Sequence, residues 1–375
     1  MSGIYIHVPF CKQRCTYCDF YTEVATQFIS EYVEAVLREL YLRKDYLSDK
    51  QIQTIYFGGG TPSVLNAVQF QQIFDKIYTL YEVDKDAEIT FEANPDDITA
   101  DYLTEIQRLP FNRISLGIQS FDDEDLKRIN RRHDSKQAID AVRRAQQMGF
   151  SNISIDLIYG LPSQSLAQWE EQLQKAFELD VQHISAYGLT YEEGTRLWKQ
   201  RESGKISVVS DDVMIEMYQM LLEKVQEKGF EAYEISNFAR PGFRSKHNSS
   251  YWKQIPYIGL GPSAHSFDGA SRQWNVASIP KYIEALGQNS SFFEREELSL
   301  FDRYNDYIMV SLRRTEGINM QHIRRNFGKD LALYCLENIK RFIKTEKIYQ
   351  EEDNFRLTTA GILISDHIIM TLMKV

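Results

Sequence analysis

Between residues 3 and 230, short β-rich runs alternate with longer stretches of helical period, and this alternation most narrows the fold. The runs at 3–8, 53–57, 87–93, 113–119, 152–158 and 182–187 read as strands. Those at 28–47, 67–81, 100–109, 135–148 and 165–178 read as helices. In the first helical run Ile29, Tyr32, Val33, Val36, Leu37 and Leu40 share one face at helical spacing. Gly149 closes the fourth as a C-terminal cap. Strand, helix and parallel strand in repetition imply a parallel sheet covered by helices.

Where the unusual residues fall chooses between the two common arrangements. Three cysteines follow the first strand, and Gly58-Gly59-Gly60-Thr61-Pro62 follows the second. Glu92 and Asn94-Pro95 end the third, and Gln119-Ser120-Phe121 ends the fourth. Asp156 lies near the end of the fifth, and Thr190 just beyond the sixth. A barrel gathers such groups at the C-terminal ends of all its strands, whereas a doubly wound sheet concentrates them at one switch point. The expected architecture is therefore α/β, a partial (β/α)6 TIM-like barrel with a smaller, mainly α-helical C-terminal domain. The barrel is expected over 1–235, including a helix at 211–228 and a strand at 231–236. A connecting segment rich in Gly, Pro, Ser and aromatics covers 236–277, and the C-terminal domain 278–375 holds a hairpin near 348–357.

A net charge of −10 argues against a general nucleic-acid or membrane-surface binder. No uninterrupted apolar run approaches the roughly 20 residues that span a bilayer. Residues 4–10 are too few, and lack the basic leader, for a signal peptide. The cytoplasm is the expected compartment. Of four cysteines, Cys11, Cys15 and Cys18 are spaced C-x3-C-x2-C and Cys335 is remote, which does not suit a disulfide framework. Three thiolates on one loop suit a soft metal centre. A zinc knuckle completed by His7 or Asp19 is the plainer reading, but zinc ligands come in spaced pairs and no second pair follows. An iron–sulfur cluster matches the spacing better, and three cysteines leave one iron of a cubane open. Cys335 sits in an apolar helical stretch, where a buried structural thiol is expected.

C-x3-C-x-Tyr-C after strand one, with GGGTP after strand two, resembles the radical S-adenosylmethionine (SAM) superfamily. The resemblance implies a [4Fe–4S] cluster held by Cys11, Cys15 and Cys18, with SAM on the open iron. Further positions resemble the coproporphyrinogen-dehydrogenase branch, HemN and its relatives. They are Tyr5, Tyr17, Gly59, Gly60, Thr61, Glu92, Gln119 in Gly-Ile-Gln-Ser-Phe, Arg131 in Ile-Asn-Arg, and Asp156 in Ile-Asp-Leu-Ile-Tyr-Gly-Leu-Pro. By family position these, with Thr190 and His265, are expected around SAM. Arg131 could meet the SAM carboxylate with two donors, although Arg131-Arg132 also reads as a solvated face. A reductant protein such as flavodoxin or ferredoxin is an implied partner.

Two departures separate the chain from the dehydrogenase. The dehydrogenase has a fourth cysteine two residues after the third, where this sequence has Phe20, and it carries an extension ahead of the motif, where ten residues precede Cys11 here. The second departure is His247-Asn248-Ser249-Ser250-Tyr251-Trp252, which resembles the HNxxYW signature of the HemW heme-chaperone group. That resemblance implies a protein that binds heme and passes it to acceptor hemoproteins, with His247, Asn248, Tyr251 and Trp252 at the heme. Imidazole is a common axial ligand; a lone histidine beside aromatics is also commonly a satisfied core residue. The expected activity is heme chaperoning, with oxygen-independent coproporphyrinogen III dehydrogenase, or radical SAM chemistry on another substrate, as alternatives. Contact with membranes is expected only transiently, through acceptor proteins, and the chain is expected to be a monomer or homodimer.

Overall fold

The computed structural model describes residues 2–374. Six parallel strands follow one another in sequence order: β1 (Ser2–Val8), β2 (Gln51–Gly59), β3 (Glu82–Ala93), β4 (Arg113–Gln119), β5 (Ile153–Tyr159) and β6 (His183–Gly188). Between them run α1 (Ile29–Leu42), α2 (Ala67–Leu80), α3 (Ala100–Ile106), α4 (Asp123–Arg128), α5 (Ser135–Gln147) and α6 (Leu166–Glu178). Capping boxes at Asn66/Gln69, Asp134/Gln137 and Ser165/Gln168 start α2, α5 and α6 just beyond the strand-end loops, fixing where each loop stops.

Alternation along each strand separates two environments. Ile4, Ile6, Ile55, Phe57, Phe91, Ile114, Leu116, Ile153, Ile155 and Ile184 are inaccessible to solvent and form the core beneath the helices. Phe57, Phe70, Phe74, Phe91 and Phe111 meet there with ring centroids 4.7–5.6 Å apart, mostly edge to face. The alternate positions face inward and are polar: Tyr5 and His7, Tyr56, Glu88 and Glu92, Arg113 and Ser115, Asp156, His183 and Ser185.

After α7 (Arg196–Glu202) and α8 (Asp211–Glu227), the segment expected to be a connection proves to extend the sheet at both edges. β7 (Glu231–Ala232) and β8 (Asn237–Ala239) add antiparallel beyond β6. Next come α9 (Lys246–Trp252), then β9 (Tyr257–Leu260), parallel to β1, and β10 (His265–Phe267) and β11 (Ser271–Asn275) outside it. Strands of two to five residues separated by Gly and Pro carry too little period-2 pattern to be read from sequence. α10 (Ile279–Gln288) packs on α1, and β12 (Phe293–Glu297) pairs with β11, giving a twelve-stranded sheet. Residues 278–297 thus belong to the first core rather than the C-terminal unit. The second core begins at Tyr304. It joins α11 (Leu300–Leu312), β13 (Ile318–Asn319), α12 (Met320–Asn326), α13 (Lys329–Lys344), the hairpin β14 (Ile348–Glu351) and β15 (Asn354–Leu357), α14 (Thr359–Ile362) and α15 (Ser365–Leu372). Cys335 is fully buried there. Among the described residues no helix is long and apolar enough to cross a membrane.

Candidate functional site

The cysteine loop leaves β1 at Val8 and is closed at its base by Cys11 N–H donating to the Glu23 carbonyl (3.0 Å) and Glu23 N–H to Pro9 (2.8 Å). The glycine strap after β2 lies against the same base: Gly60 N–H donates to the Val8 carbonyl (2.9 Å) and Thr61 N–H to Phe10 (2.8 Å). A Cβ on Gly60 would stand 2.7 Å from the Phe10 carbonyl, so only glycine allows this approach. Cys11, Cys15 and Cys18 are free, partly exposed thiols. The Thr61 hydroxyl donates to Cys11 Sγ (3.4 Å) and Arg131 Nη1 to Cys15 Sγ (3.2 Å). Burial pushes the Cys18 thiol up to about 11, with Cys15 and Cys11 adding to the shift. Donors aimed at sulfur stabilise thiolates, which suits cluster ligands. Among the described residues no group of three His, Cys, Asp or Glu is gathered on one ion; a cubane would take one thiolate at each of three irons. Phe20, at the position of the dehydrogenase's fourth cysteine, is 62% exposed.

Around this loop the strand ends bring most of the expected cofactor residues together. Glu92 accepts from the Tyr56 hydroxyl (2.7 Å) and Gly59 N–H (3.2 Å). Burial pushes its carboxyl up to about 7, and nearby Asp156 adds to the shift. Asp156 is raised by burial and held by Ser185 and Ser115. Arg131 also donates through Nη2 to Asn94 Oδ1 and the Gly117 carbonyl, both at 2.5 Å, which places it at the ends of β3 and β4. Tyr17 is packed beside Cys15 and Arg131. Gln119 ends β4 with φ +69°. Tyr5 reaches His7 Nδ1 at 3.0 Å, and because the Tyr21 carbonyl on Nε2 can only accept, the tyrosine donates. His265 opens β10 beside Trp274; burial lowers the His7 pKa and nearby His265 adds to the shift, and Thr190 lies exposed beyond β6. Arg132, read as a solvated face, instead bridges Asp96 and Asp97; Asp97 in turn binds Lys12 of the cysteine loop at 2.8 Å.

Sequence reading missed Arg113. It is 1% exposed inside the barrel, and its charge acts on Glu92, Asp156, His183 and His247. Its Nε has no hydrogen-bond partner among the described residues. The signal was present as polar residues at alternate positions of strands whose other positions are Ile, Leu or Phe.

The HNxxYW histidine lies elsewhere. Glu88 accepts from the N–H groups of Lys246 and His247 (both 2.9 Å) and so holds the start of α9 inside the barrel. His247 is buried, with Nδ1 2.8 Å from Thr54 Oγ1 and Nε2 2.8 Å from the Tyr251 hydroxyl. Its ring stacks on Tyr56 at 4.9 Å, and its neighbours Gly3 and Thr54 start β1 and β2. It therefore plugs the end of the barrel opposite the cysteines, with both nitrogens occupied. In this conformation both ring nitrogens of His247 are hydrogen-bonded, so meeting heme iron would require the imidazole to exchange its Thr54 or Tyr251 partner. Tyr251 shares that packing, and Asn248 N–H only serves the Ser245 cap (3.2 Å). Of the four motif residues singled out, Trp252 lines open cavities.

Burial lowers the His247 pKa to about 3, with Arg113 adding to the shift. Unfolded, the imidazole titrates near about 6.5. Between those values the unfolded chain binds one more proton, so this residue's contribution is present above 6.5 and lost as pH falls. From about pH 6 down to pH 4 the unfolding free energy of the wild type is expected to fall more steeply than that of His247→Gln, by up to about 1.4 kcal/mol per pH unit. Urea unfolding across that range measures it, and parallel profiles would mean an accessible imidazole.

The sequence profile of the Radical SAM superfamily matches residues 5–176, and that of the HemN C-terminal domain residues 298–364. The heme chaperone HemW of Bacillus subtilis (strain 168) is 32% identical over 98% of this chain and 98% of its own. This chain belongs to the HemW family of radical SAM proteins. HemW of Lactococcus lactis subsp. lactis (strain IL1403) is 32% identical over 98% of this chain and 96% of its own. HemW of Escherichia coli (strain K12) is 37% identical over 70% and 69%. Among solved structures, coproporphyrinogen III oxidase HemN of Escherichia coli superposes with a TM-score of 0.86 at 23% identity, covering 100% of this chain and 90% of that one. That likeness establishes the shared fold, a parallel α/β barrel sheet with a helical C-terminal region.

Proposed function

We propose that this HemW-family protein is a heme chaperone that binds a [4Fe–4S] cluster, SAM and heme, and delivers heme to acceptor hemoproteins in the cytoplasm. The observation that carries the reading is identity of 32% to named heme chaperones over almost the whole of both chains. Cys11, Cys15 and Cys18 would hold the cluster. When bound, the cluster supplies an electron that can cleave the SAM sulfonium. The chain's own residues bind and orient. Arg131 offers a guanidinium to the SAM carboxylate, while Glu92 and Asp156 offer acceptors for ribose hydroxyls or the ammonium group. Arg113 offsets the charge of these two acids. Gly59, Gly60 and Thr61 bring backbone close to the cofactor, and Tyr5, Tyr17, Gln119, Thr190 and His265 border it. His247, Asn248, Tyr251 and Trp252 of the HNxxYW motif would meet heme, with His247 exchanging a hydroxyl partner to do so.

Arg131→Met removes charge-assisted hydrogen bonds worth about 1.5–3 kcal/mol. SAM affinity of the anaerobically reconstituted protein is expected to weaken at least about tenfold; unchanged affinity in equilibrium binding would remove Arg131 from the site. The chaperone reading itself is tested by incubating reconstituted protein with heme, and separately with coproporphyrinogen III, SAM and a reductant. Heme uptake without protoporphyrinogen formation supports it, and protoporphyrinogen formation would assign the dehydrogenase activity instead.

A further inference from the structure

We propose that Tyr56 is a positioning residue shared by the two ends of the barrel, holding Glu92 for SAM while itself held by the His247 ring. Heme on His247 thereby weakens SAM binding, and SAM weakens heme binding. The inference rests on the heme-chaperone reading, with heme at the HNxxYW motif, and adds a coupling between the two ligands.

Three rings fill the barrel interior between those ends. Tyr56 lies on His247 with centroids 4.9 Å apart and 18° from parallel. Tyr5 lies 6.3 Å from each of them, 29° from the Tyr56 plane and 27° from that of His247. Both tyrosines carry their hydroxyls toward the cofactor end. Tyr56 donates to Glu92 Oε1 at 2.7 Å, and Gly59 N–H, at 3.2 Å on Oε2, is the longer of the two bonds that fix this carboxyl. Tyr5 donates to His7 Nδ1, and His7 Nε2 to the Tyr21 carbonyl of the cysteine loop, both at 3.0 Å. Close packing leaves no slack in the column. A Cβ on Gly58 would stand 2.8 Å from Tyr56 Cε1 and 3.1 Å from Glu92 Oε1, and one on Gly3 2.8 Å from Thr54 Oγ1.

His247 cannot take a ligand without moving. It is 1% exposed, and Thr54 and Tyr251 occupy its two nitrogens. A metal reaches either nitrogen only after the ring, or the helix that carries it, shifts and one hydroxyl is given up. There is room for such a shift. α9 has only seven residues, and a cavity of about 260 Å³ opens beside it, lined by Gln53, Thr54, Ser249, Ser250 and Trp252. The shift takes the imidazole off the face of Tyr56, which leaves the phenol free to swing away from Glu92. Two arrangements result. With the ring in, Glu92 is fixed and SAM is favoured; with the ring out, His247 is available and heme is favoured. A ligand that prefers one of two states shifts their balance, and the effect of each ligand on the other is equal by linkage.

Paired equilibrium titrations of the anaerobically reconstituted protein test this: SAM with and without saturating heme, and heme with and without saturating SAM. Both are repeated in Tyr56→Phe, which keeps a ring on His247 and removes the hydroxyl from Glu92. In the wild type each ligand is expected to weaken the other by the same factor, at least about fivefold. In Tyr56→Phe, SAM binding without heme is expected to be weaker and the coupling factor to fall to within about twofold of one. A residue that only supported the fold would lower both affinities and leave the factor unchanged, and that result overturns the role of Tyr56. Wild-type protein that binds heme with no change in SAM affinity overturns the coupling and leaves the chaperone reading intact. Wild-type protein that takes up no heme overturns the chaperone reading, and the coupling with it. Should the phenylalanine variant not fold, the wild-type titrations still decide between coupled and independent ends.

Discussion

Replacing Glu39 with alanine is expected to cost about 3–5 kcal/mol of folding free energy, because it leaves a buried guanidinium without its counter-charge. Glu39 is inaccessible and Arg43 is 7% exposed. Arg43 Nη1 donates to Glu39 Oε1 (2.8 Å) and the Gly259 carbonyl (2.9 Å), and Nη2 to Ser266 Oγ and Gln273 Oε1, both at 2.8 Å. Glu39 also accepts from Gly261 N–H (2.9 Å), Asn275 Nδ2 (2.8 Å) and the Tyr282 hydroxyl (2.5 Å). One carboxylate thus ties α1 to β9, β11 and α10. β9 pairs with β1, which carries the cysteine loop, and Tyr32 of α1 donates to the His7 carbonyl at 2.8 Å near its end. Losing the network should therefore loosen the base of the cofactor site as well as the fold. Urea unfolding checks it, and a loss below about 1 kcal/mol would show that the pair is solvated.

Cys15→Ala is expected to abolish cluster assembly, with iron and acid-labile sulfide in anaerobically reconstituted protein falling from about four per chain to near zero. In the proposed site each of the three thiolates would hold a different iron, so none could substitute for another. Removing Cys15 also takes the sulfur acceptor from Arg131 Nη1. Cys335→Ala is the matched control. That thiol lies in the second core, near the Tyr304 hydroxyl, so the change should cost about 1 kcal/mol of stability and leave iron content unchanged. Equal iron loss in both variants would sink the assignment of the cluster ligands.

The barrel was legible because its signals are local: period-2 runs, helical stripes, and punctuating residues at each strand's end. The cysteine loop, GGGTP, Glu92 and Asp156 followed from that, Arg131 came from the family resemblance, and the fold joins them at one end of the sheet. Arg113 went unseen because attention to the C-terminal ends of the strands passes over inward residues at their starts, and Arg113 opens β4. Glu39 and Arg43 were opaque for another reason: an i,i+4 pair on a helix reads as a solvated face, and its partners lie more than 200 residues away. The burial of His247 was opaque because it depends on how α9 returns to the far end of the barrel. No local pattern encodes that return.

Heme transfer from the loaded, reconstituted protein to an apo-hemoprotein, followed under anaerobic conditions by the Soret spectra of the two, tests the central proposal most directly. A chaperone should take up heme at near-stoichiometric concentration and yield the acceptor's holo spectrum. Heme that fails to bind the wild type, or that binds and never reaches the acceptor, would contradict it.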